Sequence, residues 1–223
     1  MIRAMTQAVR LRAAVLAVAF MGAVALSACA PLLLGGALLG GSMVYVDRRT
    51  SGTQIDDETI ELKSINRVGD VTGDRGHVSI TSYDRIVLIT GEVPSEADKA
   101  AVGQAMGRID NVRSVVNELA VGPSSSLATR TNDTLITGKV KASLLDAKEV
   151  QSNAFKVVTV RGNVYLMGRV TEREATRAAE ISRGIGGVRK VVRVFELVSE
   201  AELADLKPRA APLAAPSGSS SAR

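Results

Sequence analysis

Two stretches of the chain carry the same dense run of branched and apolar residues. Ile86 to Val93 reads IVLITGEV and Asn163 to Val170 reads NVYLMGRV, each of strand length and each with a glycine at its sixth position. The residues behind them repeat as well. Ser95 with Asp98 three residues on, and Thr171 with Glu174 three residues on, are N-cap residues with an acidic partner, so each strand predicts a helix behind it. Both helices place small residues on one face, at Ala97, Ala101 and Ala105 and at Ala175, Ala179 and Ser182, which lets them sit close on a sheet. Gly107 and Gly184 are the expected C-terminal caps.

Next come NVRSVV from Asn111 and GVRKVV from Gly187. They lead into the strand-like tracts Asn117 to Val121 and Arg193 to Val198. Upstream of the glycine motifs lie strand candidates at His77 to Ser82 and Lys156 to Arg161, and before those, helix candidates at Asp57 to Val68 and Asp133 to Asp146. The predicted unit is helix, strand, strand, helix, strand, present twice. Each copy is near the lower size limit for a core without staples, so pairing the copies would bury more surface for both.

The N-terminus has a different grammar. Arg3, Arg10 and Arg12 precede an uncharged, mostly apolar run from Ala13 to Leu26, as in a secretory signal peptide. The run closes on Leu26, Ser27, Ala28 and Cys29, a lipobox pattern, and Cys29 is the sole cysteine among 223 residues. The reading is lipidation of Cys29 after removal of residues 1–28. Against an uncleaved membrane helix stand Gly35, Gly36, Gly40 and Gly41, which weaken any helix there and suit a spacer over 29–47. With Cys29 acylated no intrachain disulfide is possible, and stability must come from packed Val, Ile, Leu and Ala.

Charge narrows the partners. The chain holds 28 basic and 23 acidic residues; removing the leader deletes three arginines and no acid, which leaves a mature net charge of about +2 and weighs against nucleic acid. One histidine, His77, and no free thiol leave no triad or metal cluster, so no enzyme activity and no cofactor are expected. Asp56, Asp57 and Glu58 read as an acidic first helical turn. Gly91 and Gly168 recur at one position of both copies, which points to a backbone need rather than a ligand.

These residues resemble the BON domain family. The resemblance is carried by YLMGRVTEREA from Tyr165, RTSGTQIDDETIE from Arg49 and NDTLITGKVKASLL from Asn132, and with the repeat it covers nearly the whole mature chain apart from the tail. It implies an α+β chain of two tandem αββαβ domains, each with two helices on a three-stranded mixed sheet, over 48–121 and 127–199. Gly122 to Ser126 would join them, and 203–223 would be a disordered tail. It also implies no catalytic activity, binding to anionic phospholipids such as phosphatidylglycerol and cardiolipin, a place on the periplasmic face of the outer membrane, a role in its integrity and gathering at division sites. An adaptor for cell-wall hydrolases or outer-membrane assembly factors is the alternative, and an unlipidated, stress-induced periplasmic protein a third reading.

The two leading helices differ in charge. Asp56 to Arg67 carries four acids and two bases, a net of −2, whereas Arg130 to Lys148 carries four bases and two acids, a net of +2. An anionic bilayer favours the second by roughly 1 kcal/mol per basic residue near the surface. Ile136, Val140 and Leu144 recur as its core stripe, and Leu135 falls on another flank with Lys139 and Ala142, exposed beside a lysine. The expected lipid-contact set is Leu135, Ile136, Lys139, Val140, Lys141 and Ala142. In a family relative an aromatic stands where this chain has Leu135; leucine keeps the apolar contact without headgroup-level anchoring.

Overall fold

The structure, a computed structural model, describes residues 47–73 and 75–206. Cys29, the leader, most of the spacer and the tail beyond 206 lie outside those residues. The first unit opens with α1 (Ser51–Thr72), capped by the Thr50 hydroxyl, which accepts the Thr53 N–H. Strands β1 (His77–Tyr83) and β2 (Ile86–Val93) pair antiparallel through a two-residue turn, Asp84 and Arg85, with φ of 50° and 62°. That is the left-handed geometry whose twist matches the flanking strands. Helix α2 (Glu96–Gly107) then carries the chain over to β3 (Ser114–Asn117) and β4 (Ala120–Val121), both parallel to β2.

The second unit repeats the order with α3 (Leu127–Asp146), a 3-10 turn at Ser152–Ala154, β5 (Phe155–Val160), β6 (Asn163–Val170), α4 (Glu172–Arg183) and β7 (Lys190–Leu197). Its hairpin turn is Arg161 and Gly162, again left-handed, and the sheet order is β5-β6-β7 with β6 central. In both copies the glycine of the central strand lies where the hairpin partner's backbone comes closest. A Cβ on Gly91 would stand 1.9 Å from the His77 carbonyl oxygen, and one on Gly168 2.3 Å from that of Ala154.

Several boundaries differ from the periodic reading. Both leading helices begin six residues early, because Thr50 and Ser126 cap them and the first turns, SGTQID and LATRTN, carry no apolar period. Asp57 therefore sits in the second turn of α1, not the first, and is buried. Neither Gly107 nor Gly184 supplies a left-handed cap: Gly107 is the last helical residue and Gly184 has φ −73°. The left-handed residue comes later, at Asn111 and at its counterpart Gly187. A further helix, α5 (Glu200–Leu206), occupies the start of what the sequence reads as tail, opened by Ser199 with Glu202 and held by buried Leu203.

Each sheet has helices on one face only. Val87, Ile89 and Val93 pack with Ile60, Val102 and Met106 in the first unit; Val164, Leu166 and Val170 pack with Ile136, Val140, Leu144 and Ala175 in the second. The alternate residues point the other way and form a third cluster from Tyr83, Leu88, Tyr165, Met167 and Val194. The two domains thus pack sheet against sheet, which is why β2 and β6 are apolar on both faces instead of alternating. All described residues belong to one compact unit.

Candidate functional site

Helix α3 is held in rotation by two devices. Ile136, Val140 and Leu144 are at most 1% exposed and lock one side into the second core. The buried Asp133 carboxylate accepts the backbone N–H groups of Arg161 and Gly162, each at 2.8 Å, and so ties the helix to its own hairpin turn. The first copy does the same, with Asp57 accepting the N–H groups of Asp84 and Arg85 at 2.8 and 2.7 Å and the Ser82 hydroxyl at 2.6 Å. Sequence reading missed this pair, yet its signal is present: D-x-x-I stands at Asp57 and again at Asp133, 76 positions later.

This rotation corrects the expected lipid-contact set. Ile136 and Val140 are sealed in the core and offer no surface to a bilayer. Leu135, 59% exposed, lies near the middle of the outward face, with Gly138, Lys139, Lys141 and Ala142 also exposed around it. Leu145, 71% exposed, extends the apolar stripe toward the helix C-terminus, an addition the sequence reading left out. Among the described residues neither Lys139 nor Lys141 has an ion-pair partner. Lys141 and Leu145 also border a shallow groove of about 370 Å³ whose floor includes Leu144, Phe155 and Val157, with Ser152 and Asn153 at its rim.

The equivalent face of α1 differs in kind. Ile55, Leu62 and Ile65 project from it, each more exposed than Leu135. Position by position, Thr59 stands where α3 has Leu135, Leu62 where it has Gly138, Ile65 where it has Lys141 and Gly69 where it has Leu145. Duplicated scaffolds therefore carry diverged outer surfaces, apolar with acids on one and apolar with lysines on the other.

A charged seam closes the joint between the domains. Arg48 donates to both Glu174 carboxylate oxygens at 2.8 Å, to the Arg169 carbonyl at 3.0 Å and to Gln151 at 3.1 Å. Burial opposes ionisation of Glu174, but Arg48 and the Thr171 N–H hold its carboxyl below the usual range. The next residue turns back to the first domain: Arg49 pairs with Asp57 at 2.7 Å and lies 4.3 Å from the Tyr83 ring centre. Burial and then the nearby Asp47 push the Tyr83 hydroxyl up to about 12. Lys156 meets Glu61 at 2.8 Å, and Arg113 meets Glu196 at 2.9 Å. Burial, then the hydrogen bond with Glu196, pushes Asp84 up to about 6.

Among the described residues no group of three His, Cys, Asp or Glu is placed to hold a metal ion, and no helix is long and apolar enough to cross a membrane.

Comparison with known proteins agrees with the duplicated architecture. The BON domain family model matches residues 56–123 and again 132–199. The chain is 38% identical over 175 residues to the outer membrane lipoprotein DolP of Haemophilus influenzae, an alignment covering 77% of this chain and 89% of that protein. It is 33% identical over 156 residues to a 21 kDa hemolysin of Actinobacillus pleuropneumoniae, covering 69% and 80% respectively. It is also 28% identical to the osmotically-inducible protein Y of Escherichia coli, over 68% of this chain and 77% of that one.

Proposed function

Given that the chain belongs to the BON domain family and carries two copies of the domain in tandem, we propose that it is an outer-membrane lipoprotein whose second domain binds anionic phospholipid. In this reading acyl chains on Cys29 hold it at the periplasmic face of the membrane, and the outward face of α3 contacts the headgroups. The likeness to DolP supports the location. The observation that carries the binding role is Leu135 exposed between two lysines with no carboxylate partner among the described residues.

The physics is that of an interfacial helix. Leu135 and Leu145 enter the apolar boundary while the amines of Lys139 and Lys141 stay with phosphates. At roughly 1 kcal/mol each, the two lysines favour an anionic over a neutral surface by about 30-fold. The lipid tether adds local concentration without adding contacts. A role in outer-membrane integrity, with gathering at division sites, belongs to the same reading; sensitivity of a deletion strain to detergent, restored by the native gene and not by a lipid-contact variant, tests it.

Vesicle flotation of the chain from residue 30 onward tests the binding. Strong flotation with phosphatidylglycerol or cardiolipin vesicles, weak flotation with neutral ones, and loss on Leu135→Asp with Lys139→Glu are expected. Equal flotation with both vesicle types, or retention by the double variant, would refute the reading.

A further inference from the structure

The outward stripes of α1 and α3 fit one another. On α1 the exposed Ile55, Leu62 and Ile65 are spaced seven and then three residues apart; on α3, read from its C-terminal end, Leu145, Gly138 and Leu135 come at the same intervals. Laid antiparallel, the helices set Ile55 beside Leu145, Leu62 over Gly138 and Ile65 beside Leu135, across about 15 Å of helix axis. A Cβ on Gly138 would meet nothing within 4 Å, so the central position of α3 is an open notch where α1 offers its protruding leucine.

Charge obeys the same register. Glu58 falls over Ala142, between Lys139 and Lys141, and Asp70 falls opposite Arg130. The ion pairs on α1 use Asp57, Glu61 and Lys63. Among the described residues Glu58, Asp70, Lys139 and Lys141 have none. Both stripes are exposed within one molecule, so they do not cover each other there. We propose that the first domain's α1 docks antiparallel on α3 of a second copy of this chain.

Such a contact joins two different surfaces, so each molecule retains one free α1 and one free α3, and association proceeds as an open row rather than a closed dimer. One helix pair is small beside the roughly 800 Å² per partner of a stable interface. Association is therefore weak in solution and grows when lipid anchors confine molecules to one surface. The bilayer and the neighbour compete for α3. The inference requires that face to be free and does not require that it bind lipid.

The unlipidated chain from residue 30 onward is suited to the test, since the compact unit that carries all three apolar clusters lies wholly within it. Sedimentation equilibrium of this chain should show an average mass that rises with concentration. Glu58→Lys with Leu62→Lys disables α1, and Leu135→Lys with Gly138→Lys disables α3, with added charge of one sign so that the two disabled faces repel; each variant alone should remain monomeric. Mixed in equal amounts, they retain one good α1 and one good α3 and should form a complex that stops at two. Gly138→Leu, which fills the notch without altering charge, should weaken association at least tenfold. A wild-type chain that stays monomeric at every concentration, or mixed variants that fail to associate, overturns the proposal. Vesicle binding by the α1 variant is expected to persist. Its loss in that variant would count against the lipid reading and leave the association result standing.

Discussion

Arg48 and Glu174 join the two domains through a bidentate pair, two bonds of 2.8 Å between side chains that are almost wholly buried. Removing one partner of a buried pair leaves the other charge uncompensated, which costs about 3–5 kcal/mol. Arg48→Ala is therefore expected to lower the thermal midpoint by roughly 6–20 °C, whereas Arg48→Met with Glu174→Gln, which removes both charges and keeps an acceptor for the Thr171 N–H, should recover most of the loss. A melting curve of the single variant that overlays the wild type would contradict this account.

Asp133 has a different task, satisfying two backbone N–H groups at a left-handed turn. Asp133→Ala orphans both, at about 1–3 kcal/mol each. Hydrogen exchange is expected to accelerate at Arg161 and Gly162 before the rest of the second domain. Exchange that speeds up evenly across the molecule would argue against a local clamp.

The Asp84 and Glu196 carboxyls give the joint a pH dependence. Asp84, raised to about 6 in the folded chain against 3.8 in the unfolded one, binds its proton more tightly when folded. Its contribution to stability is fully present below pH 3.8 and is lost as pH rises through 6. At Glu196 burial opposes ionisation, but the bond with Asp84 and then Arg113 hold the carboxyl low, so it contributes in the opposite sense, above the ordinary range of a glutamate. Asp84→Asn removes the first effect and leaves an amide that can still donate to Glu196. Its thermal midpoint relative to wild type should climb between pH 4 and pH 7, and a difference that does not vary with pH would rule the pair out.

Gly91 combines a φ of 116° with the close approach of the His77 carbonyl oxygen. Gly91→Ala must move strand β1 or abandon the positive φ, and should destabilise by about 3 kcal/mol or more. Gly168→Ala meets a slightly longer contact without the positive φ and should cost less. Denaturant titration of both variants gives the ranking, and the reverse order would refute it.

Much of the fold was legible because the duplication let one copy check the other. IVLITGEV and NVYLMGRV, with Ser95 and Thr171 behind them, placed the central strands and second helices. The helix starts were not legible, since Ser51 to Asp56 and Leu127 to Asn132 carry no apolar period and only the Thr50 and Ser126 hydroxyls mark the ends. At the candidate site, Leu135, Lys139, Lys141 and Ala142 were readable from helical spacing. Ile136 and Val140 were assigned to the lipid although their spacing already placed them in the core, and one side chain cannot serve both. Arg48 gave no local signal, because its partner lies 126 residues away.

The face-to-face sheets bear on how this chain can change over time. Cut at Gly122 to Ser126, either half would bring a bare, oily β-surface into water, with Leu88 on one piece and Tyr165 and Met167 on the other. Neither half is then a viable ancestor in its present form, and neither can be lost, swapped or shuffled alone. Selection acts on the couple, and the room for novelty lies on the two outer helices, where exchanges such as Leu62 against Gly138 leave the shared seam untouched.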